Sequence, residues 1–354
     1  MYFCAIFDII CGKHIIEVLK VANMDKKKEQ ASVDRLFVGV DVGGTNIECG
    51  VVTPEGKIIS RSHCATLVHD GGVDAVIDRI AGTINEAIAA LPVSEGRQIA
   101  GVGVGIPGLV DPVNGISLNA VNLGWRNVPL AAKLTERLHI PVKIENDVNS
   151  YVYGEAMYGA GRQYDYVLGL TIGTGLASAF IINGEIFGGA GHLAGEIGHI
   201  PFEDIPYVCN CGQTGCLETI VSATGIARQA ADAVKDGMDS MLARVLEQQG
   251  KLTARDVSIA HEAGDRTATA ILNRTGIILG RALAAIVPAL SPDVIVIGGG
   301  AAQAGEALIA PLTSELRARL LPVFAERLQV RTGELASNAG IIGNAMIAKF
   351  SANK

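Results

Sequence analysis

Apolar and polar positions along this chain follow two rhythms. Short apolar runs bounded by Gly, Pro or Asn read as strands, and longer stretches with apolar residues three and four apart read as helices. Leu36–Asp41 and Ile47–Thr53 are the first strands, with Gly43-Gly44-Thr45 as the turn between them. Pro54-Glu55-Gly56 then turns the chain into Lys57–Arg61. The same design returns as Val167–Ile172, the turn Gly173-Thr174-Gly175, Leu176–Ile182, the hairpin turn Asn183-Gly184, and Glu185–Phe187. Two halves that open alike suggest an internal duplication; the alternative is a pair of unrelated hairpins.

Helices and strands alternate between and after these units. Val73–Ala90 is helical and stops before Pro92, Ile99–Val104 is a buried strand, and Leu130–Leu138 is helical. Val142–Ile144 is a strand that leads into Asn146-Asp147. A long Ala/Ile/Leu helix over about 266–287 is closed by Pro288, and Val294–Ile297 runs into Gly298-Gly299-Gly300 before an Ala-rich helix. Alternation of this kind means an α/β layered fold. Residues 23–34 are polar and charged and read as an exposed start, with Met24 ahead of a Lys-rich stretch. Order is expected from near Leu36.

Composition narrows the class. At 354 residues the chain is long enough for two domains, since single cores rarely grow past about 250–300 residues. With 49% hydrophobic and 18% charged residues it has material for a sizeable core, which excludes disorder throughout. A net charge of -7 repels phosphodiester backbones, so nucleic acid is not an expected partner. No run of about 18 uninterrupted apolar residues is present, so no membrane span is expected. Seven cysteines, an odd count, do not form a secreted disulfide framework, and a cytoplasmic location follows as the expectation.

Four segments carry candidate chemistry. In DVGGTN, Gly43 and Gly44 let backbone N–H groups approach an anion, Thr45 adds a hydroxyl, and Asp41 at the strand end suits Mg²⁺ through water. A second turn, Thr171, Gly173, Thr174 and Gly175, suits phosphate from the other half; a ligand-free hairpin is the rival for each turn. Residues 101–108, GVGVGIPG, hold a literal GxGxxG, but LVDPVNG stands where a dinucleotide-binding helix would have to start. The segment reads instead as a buried strand reaching a cleft loop. Glu145-Asn146-Asp147 ends a strand, where Asp147 suits a general base and Asn146 an orienting contact; a plain helix N-cap is the alternative. Finally, His199, Cys209, Cys211 and Cys216 make a Cys₃His set suited to structural Zn²⁺, with Glu196 and Glu218 on either side.

In chain order, DVGGT, GIPGLVD, ENDVN, TIGTG, GEIGH, CNCGQTGCLE and VIVIGGG resemble the ROK family of repressors, open reading frames and sugar kinases. The likeness runs from about Leu36 to the C-terminus, and within the family it is nearest to the glucokinases. It implies a two-domain actin-like ATPase (hexokinase–actin–Hsp70) α/β fold with a cleft between the domains. It also implies Asp147 as base, Asn146, Glu196, His199 and Glu218 on the sugar, Gly298, Gly299 and Gly300 beneath adenosine, and a homodimer or homotetramer. His199 would serve zinc through one ring nitrogen and the sugar through the other.

The expected organisation is an unpatterned extension over residues 1–35, a small domain over 36–150 rejoined by a C-terminal helix within 340–354, and a larger domain over 151–339 with the zinc loop. The expected reaction is transfer from ATP–Mg²⁺ to the 6-hydroxyl of a hexose, glucose first. N-acetylmannosamine, N-acetylglucosamine, fructose and allose remain as acceptors and polyphosphate as donor. A sugar-responsive repressor carries an N-terminal DNA-binding domain of some 70–80 residues, and only 40 residues precede Asp41.

Overall fold

The computed structural model describes residues 35–91, 98–202 and 204–351. The N-terminal extension with Met24, and Pro92, lie outside them. The first half contains β1 (Arg35–Val42), β2 (Asn46–Val52), β3 (Ile58–Ala65), α1 (Gly72–Ala89), β4 (Gln98–Ile106), β5 (Leu109–Asp111), β6 (Ile116–Ala120), β7 (Trp125–Val128), α2 (Leu130–Leu138), β8 (Val142–Asn146) and α3 (Asp147–Tyr158). The second contains β9 (Tyr166–Ile172), β10 (Leu176–Ile182), β11 (Glu185–Ile186), α4 (Glu218–Val221), α5 (Ala223–Lys235), α6 (Leu242–Gln249), α7 (Ala254–Glu262), α8 (Arg266–Leu290), β12 (Val294–Gly298), α9 (Glu306–Arg319), α10 (Pro322–Arg327), β13 (Gln329–Thr332) and α11 (Ala339–Ser351).

The two large sheets share one plan. Strand order is β3-β2-β1-β4-β8 in one and β11-β10-β9-β12-β13 in the other. In each, three antiparallel strands are extended by two parallel ones. The likeness of the two openings seen in the sequence therefore extends to sheet topology, as the duplication reading expects. β5, β6 and β7 add a small antiparallel sheet that apolar patterning did not reveal.

Helices α3 and α11 lie between the large sheets. Their buried residues Val152, Tyr153, Ile341, Ala345 and Met346 share one apolar cluster with Phe37 and Val52 of the first sheet and Val167, Ile181, Val294 and Val296 of the second. A second cluster packs the far face of the first sheet on α1 and α2, and a third packs the second sheet on the helices from α4 to α9. Strands β1 and β8 both pack against this central helical layer of α3 and α11.

One expected boundary moves. The long helix does not close at Pro288 but runs to Leu290, and Ser291 caps it in the left-handed conformation, donating its N–H to Val287 O at 2.7 Å. Pro288 has no N–H to give the Ala284 carbonyl, so one helical hydrogen bond is missing there and the helix ends within two residues. By length and composition α8 would pass as a membrane-crossing helix; half of its apolar window is buried inside the protein.

Candidate active site

Asp147 is the first residue of α3, and its neighbour Asn146 is the N-cap. Asn146 Oδ1 accepts from the N–H groups of Val148 at 2.9 Å and Asn149 at 3.1 Å, while its Nδ2 donates to Gly108 O at 3.0 Å. The cap role weighed for Asp147 in the sequence therefore falls to Asn146. Asp147 Oδ1 accepts from the neighbouring Val148 N–H, at 2.9 Å. Burial raises the Asp147 carboxyl above its ordinary range; hydrogen bonds from the backbone and from Asn146 pull the other way, and Glu196 adds a further push upward.

A cleft of about 760 Å³ opens on one side. Asp41, Glu48 and Arg61 from the first sheet, Tyr151 from α3, and the Gly298–Gly300 loop line it, with Thr332, Gly333 and Ser337. Burial pushes the Asp41 carboxyl up to about 6, with the negative charges of Asp147 and Glu48 adding to the effect. The charges that shift Asp41 are thus both anionic. Asp41 and Glu48 face each other across the β1–β2 pair, so the strand register itself concentrates the charge. Tyr151 accepts a backbone hydrogen bond from Gly299 and is packed so closely on Gly298 that a Cβ there would lie 2.1 Å from its hydroxyl.

A smaller recess opens on the other side, lined by Gly108, Glu145, Asn146, Asn149, Ser178, His192 and Glu196 among others. Glu145 is buried, and its Oε1 accepts from Asn146 N–H and Asn149 Nδ2, each at 2.9 Å. Burial raises its carboxyl nonetheless. The segment bearing Glu196 is clamped to β10: Ser178 Oγ donates to Gly195 O at 2.8 Å. Gly195 holds φ at 102°, and a Cβ there would strike Ser178 O at 2.0 Å, so only glycine fits.

Behind this recess lie His199, Cys209, Cys211 and Cys216, with all four candidate ligand atoms within 4.8 Å of one another. Cys211 and Cys216 Sγ are 3.6 Å apart, and Cys209 Sγ is 3.7 Å from His199 Nδ1. Donors around tetrahedral zinc, at about 2.3 Å for sulfur and 2.0–2.1 Å for nitrogen, stand about 3.5–3.8 Å apart, so the set fits that ion. His199 Nε2 points the other way and lies 3.8 Å from Glu196 Oε2. Glu218 joins the cluster to the strands: its Oε1 is 3.6 Å from Cys209 Sγ, and its Oε2 accepts from Leu176 N–H at 3.1 Å.

Asp147 lines neither the cleft nor the recess itself; it lies within electrostatic reach of Asp41, which lines the cleft, and of Glu196, which lines the recess. Asp41 and Gly298–Gly300 meet in the cleft, Asn146 and Glu196 in the recess, and His199, Glu218 and the three cysteines behind it. The Gly43-Gly44-Thr45 and Thr171–Gly175 turns occupy equivalent places, at the β1–β2 and β9–β10 ends, but line neither concavity directly. The second abuts the cleft through Ile172, whose O would lie 2.5 Å from a Cβ on Gly299. Sequence reasoning missed Tyr151, His192 and Asn149. Asn149, one turn beyond Glu145, was the detectable one, because i,i+4 residues meet at a helix start.

Residues 37–350 match the ROK family. A glucokinase of Halalkalibacterium halodurans is 39% identical over 323 residues, covering 90% of this chain and 97% of that protein. A glucokinase of Thermotoga maritima is 38% identical over 314 residues, covering 88% and 97%. The crystal structure of a ROK family glucokinase from Streptomyces griseus in complex with glucose and AMPPNP superposes with a TM-score of 0.73 at 32% identity, covering 89% of this chain and 99% of that one.

Proposed function

The chain belongs to the ROK family, and from that premise we propose that it is a hexose kinase transferring the γ-phosphoryl group of ATP to the 6-hydroxyl of glucose. The observation that carries this reading is the electrostatic contact of Asp147 with Asp41, which lines a cleft large enough for a nucleotide, and with Glu196, which lines a small polar recess beside Asn146. The glucokinase likeness supports glucose as acceptor and ATP as donor.

In this mechanism the sugar sits at the recess, which at about 40 Å³ would widen to admit it, against Glu196, with Glu145 and Asn149 on the wall and His199 and Glu218 reaching it from behind. Asn146 acts indirectly, because its amide is spent on the helix cap and on Gly108; it fixes the α3 start and so aims Asp147. The O6–H proton passes to the Asp147 carboxylate as O6 bonds to the γ-phosphorus, and the β–γ bridging P–O bond breaks to release ADP. A raised carboxyl is suited to that task, since it binds the proton more tightly than an exposed aspartate. Asp41, ringed by anions, would take the Mg²⁺ that accompanies ATP, and the Gly298–Gly300 loop with Tyr151 would form the nucleotide bed. The N–H groups of Gly43 and Gly173 are bonded within their own turns, to Asn46 O and Gly175 O, so the Gly43–Thr45 and Thr171–Gly175 turns would serve phosphates through their remaining N–H groups and the hydroxyls of Thr45 and Thr174.

His199, Cys209, Cys211 and Cys216 would hold zinc, which supplies rigidity to the segment carrying Glu196 and Glu218. This goes with a reducing cytoplasm, where thiolates remain available. A coupled ADP-release assay over hexoses and N-acetylamino sugars tests the reading. Glucose should give the highest kcat/KM; absence of turnover with every hexose would remove it.

A further inference from the structure

Asn344 in α11 has no exposed surface, and its amide joins the two elements that carry Asp41 and Asp147. Its Nδ2 donates to Val40 O at 2.8 Å, the carbonyl of the peptide that leads into Asp41. Its Oδ1 accepts from Ser150 Oγ at 2.6 Å. Ser150 is also fully buried, stands one turn beyond Asp147, and lies 3.0 Å from Asn146 O, sharing its single proton between the two acceptors. A continuous run of buried hydrogen bonds thus links the Val40–Asp41 peptide to the Asn146–Asp147 peptide without passing through solvent.

The surrounding backbone is shaped for this amide. A Cβ on Gly103 would lie 1.9 Å from Asn344 O, and one on Gly105 would lie 2.6 Å from Asn344 Nδ2. On the opposite face a Cβ on Gly343 would lie 1.8 Å from Ser150 O. Sheet, α11 and α3 therefore meet almost backbone to backbone around Asn344. Ile341, Ile342, Ala345 and Met346, its neighbours on the helix, are apolar and buried. An amide among them is costly to bury unless both ends are paired, and here both are.

We propose that Asn344 and Ser150 are positioning residues that set the separation of Asp41 and Asp147 through this buried hydrogen-bond chain. The inference rests on the kinase reading, and neither residue touches substrate. The proton acceptor and the carboxylate facing the phosphates serve the same transferring group, so a change in their spacing is felt in the chemical step. A misplacement of 1 Å can cost about 10²-fold in rate.

The test compares Ser150→Ala, Asn344→Ala and the double variant by ADP-release kinetics, glucose calorimetry and thermal unfolding. Ser150→Ala should lower kcat about 5-fold and Asn344→Ala about 30-fold, with the glucose Kd changed less than about two-fold, as expected when a transition-state interaction alone is lost. The double variant should be no slower than Asn344→Ala, because both residues lie on one chain of contacts. A lowered Tm with wild-type kcat below the transition would show a purely structural role and overturn the proposal, as would additive losses in kcat. Should Asn344→Ala fail to fold, Ser150→Ala, which deletes one oxygen, decides alone. An inactive Asp147→Asn beside fully active Ser150→Ala and Asn344→Ala would refute the positioning role and leave the kinase reading standing. Wild-type protein inert toward every hexose would instead remove that reading, and this inference with it.

Discussion

Replacing Asp41 by Asn should make the nucleotide-free protein more stable and the enzyme inactive. Burial, Asp147 and Glu48 together lift the Asp41 carboxyl from 3.8 to about 6. The ionised form is therefore disfavoured in the fold relative to the unfolded chain. A gap of 2.2 units (6 less 3.8), at about 1.36 kcal/mol each, corresponds to about 3 kcal/mol as an upper bound. The sign comes from the direction of the shift. Below pH 3.8 Asp41 is protonated in both states and exacts nothing; between 3.8 and about 6 the folded form holds the extra proton and stability falls with rising pH; above about 6 the penalty is complete. Asp41→Asn, neutral throughout, should thus gain up to about 3 kcal/mol at pH 7.5, with the advantage fading toward pH 4. At about 2.1 cal/mol/K of unfolding entropy per residue, that is a rise in Tm of about 4 °C. Thermal unfolding of both proteins from pH 4.5 to 8, beside ADP-release kinetics, measures both effects. Turnover should fall at least about 100-fold if Asp41 is the carboxylate that meets the metal–nucleotide, as proposed. A variant no more stable than wild type at pH 7.5, or a Tm difference independent of pH, would refute the reasoning.

Metal analysis should find about one Zn²⁺ per chain, and Cys211→Ala should lose the metal, unfold at lower temperature and bind glucose more weakly, since zinc binding is folding free energy at such a site; metal-free protein with normal glucose affinity would contradict this. Tyr151→Phe leaves the Gly299 N–H without its partner, and at about 1 kcal/mol for a lost hydrogen bond the KM for ATP should rise about 5-fold with the KM for glucose unchanged; steady-state kinetics with each substrate varied in turn would detect an equal effect on both, which the assignment forbids.

Local chemistry was legible in the sequence and long-range contact was not. The strands around DVGGTN and TIGTG, the helix at Leu130–Leu138 and the Cys₃His set all declare themselves within a few residues, through alternation, turn residues or ligand spacing. The GVGVGIPG segment forms a strand rather than a dinucleotide turn, yet the reason for its glycines lay hidden. They admit Asn344, which bonds to Val40 across a separation of 304 positions. The pairing of Asn146 and Asp147 was visible as a cap or a base, and only the folded chain divides the two roles between them. His192 could not be found, because nothing in its own neighbourhood marks it; packing of its turn against β5 brings it to the recess. Pro288 misled because its place in the last turn of α8 depends on a residue beyond it, the left-handed Ser291.

The central claim is that Asp147 accepts the proton of the sugar hydroxyl. Asp147→Asn keeps the size of the side chain and its acceptor to the Val148 N–H, and Asn146 continues to cap α3, so the fold should be kept, with stability at neutral pH raised as for Asp41→Asn. It removes the negative charge and with it the capacity to take a proton, which is typically worth 10²–10⁴-fold. Single-turnover and steady-state phosphorylation of glucose by Asp147→Asn, beside calorimetric glucose binding, is the direct measurement. The account predicts a kcat lower by at least about two orders of magnitude with glucose affinity nearly unchanged. A variant that phosphorylates glucose at the wild-type rate would contradict it.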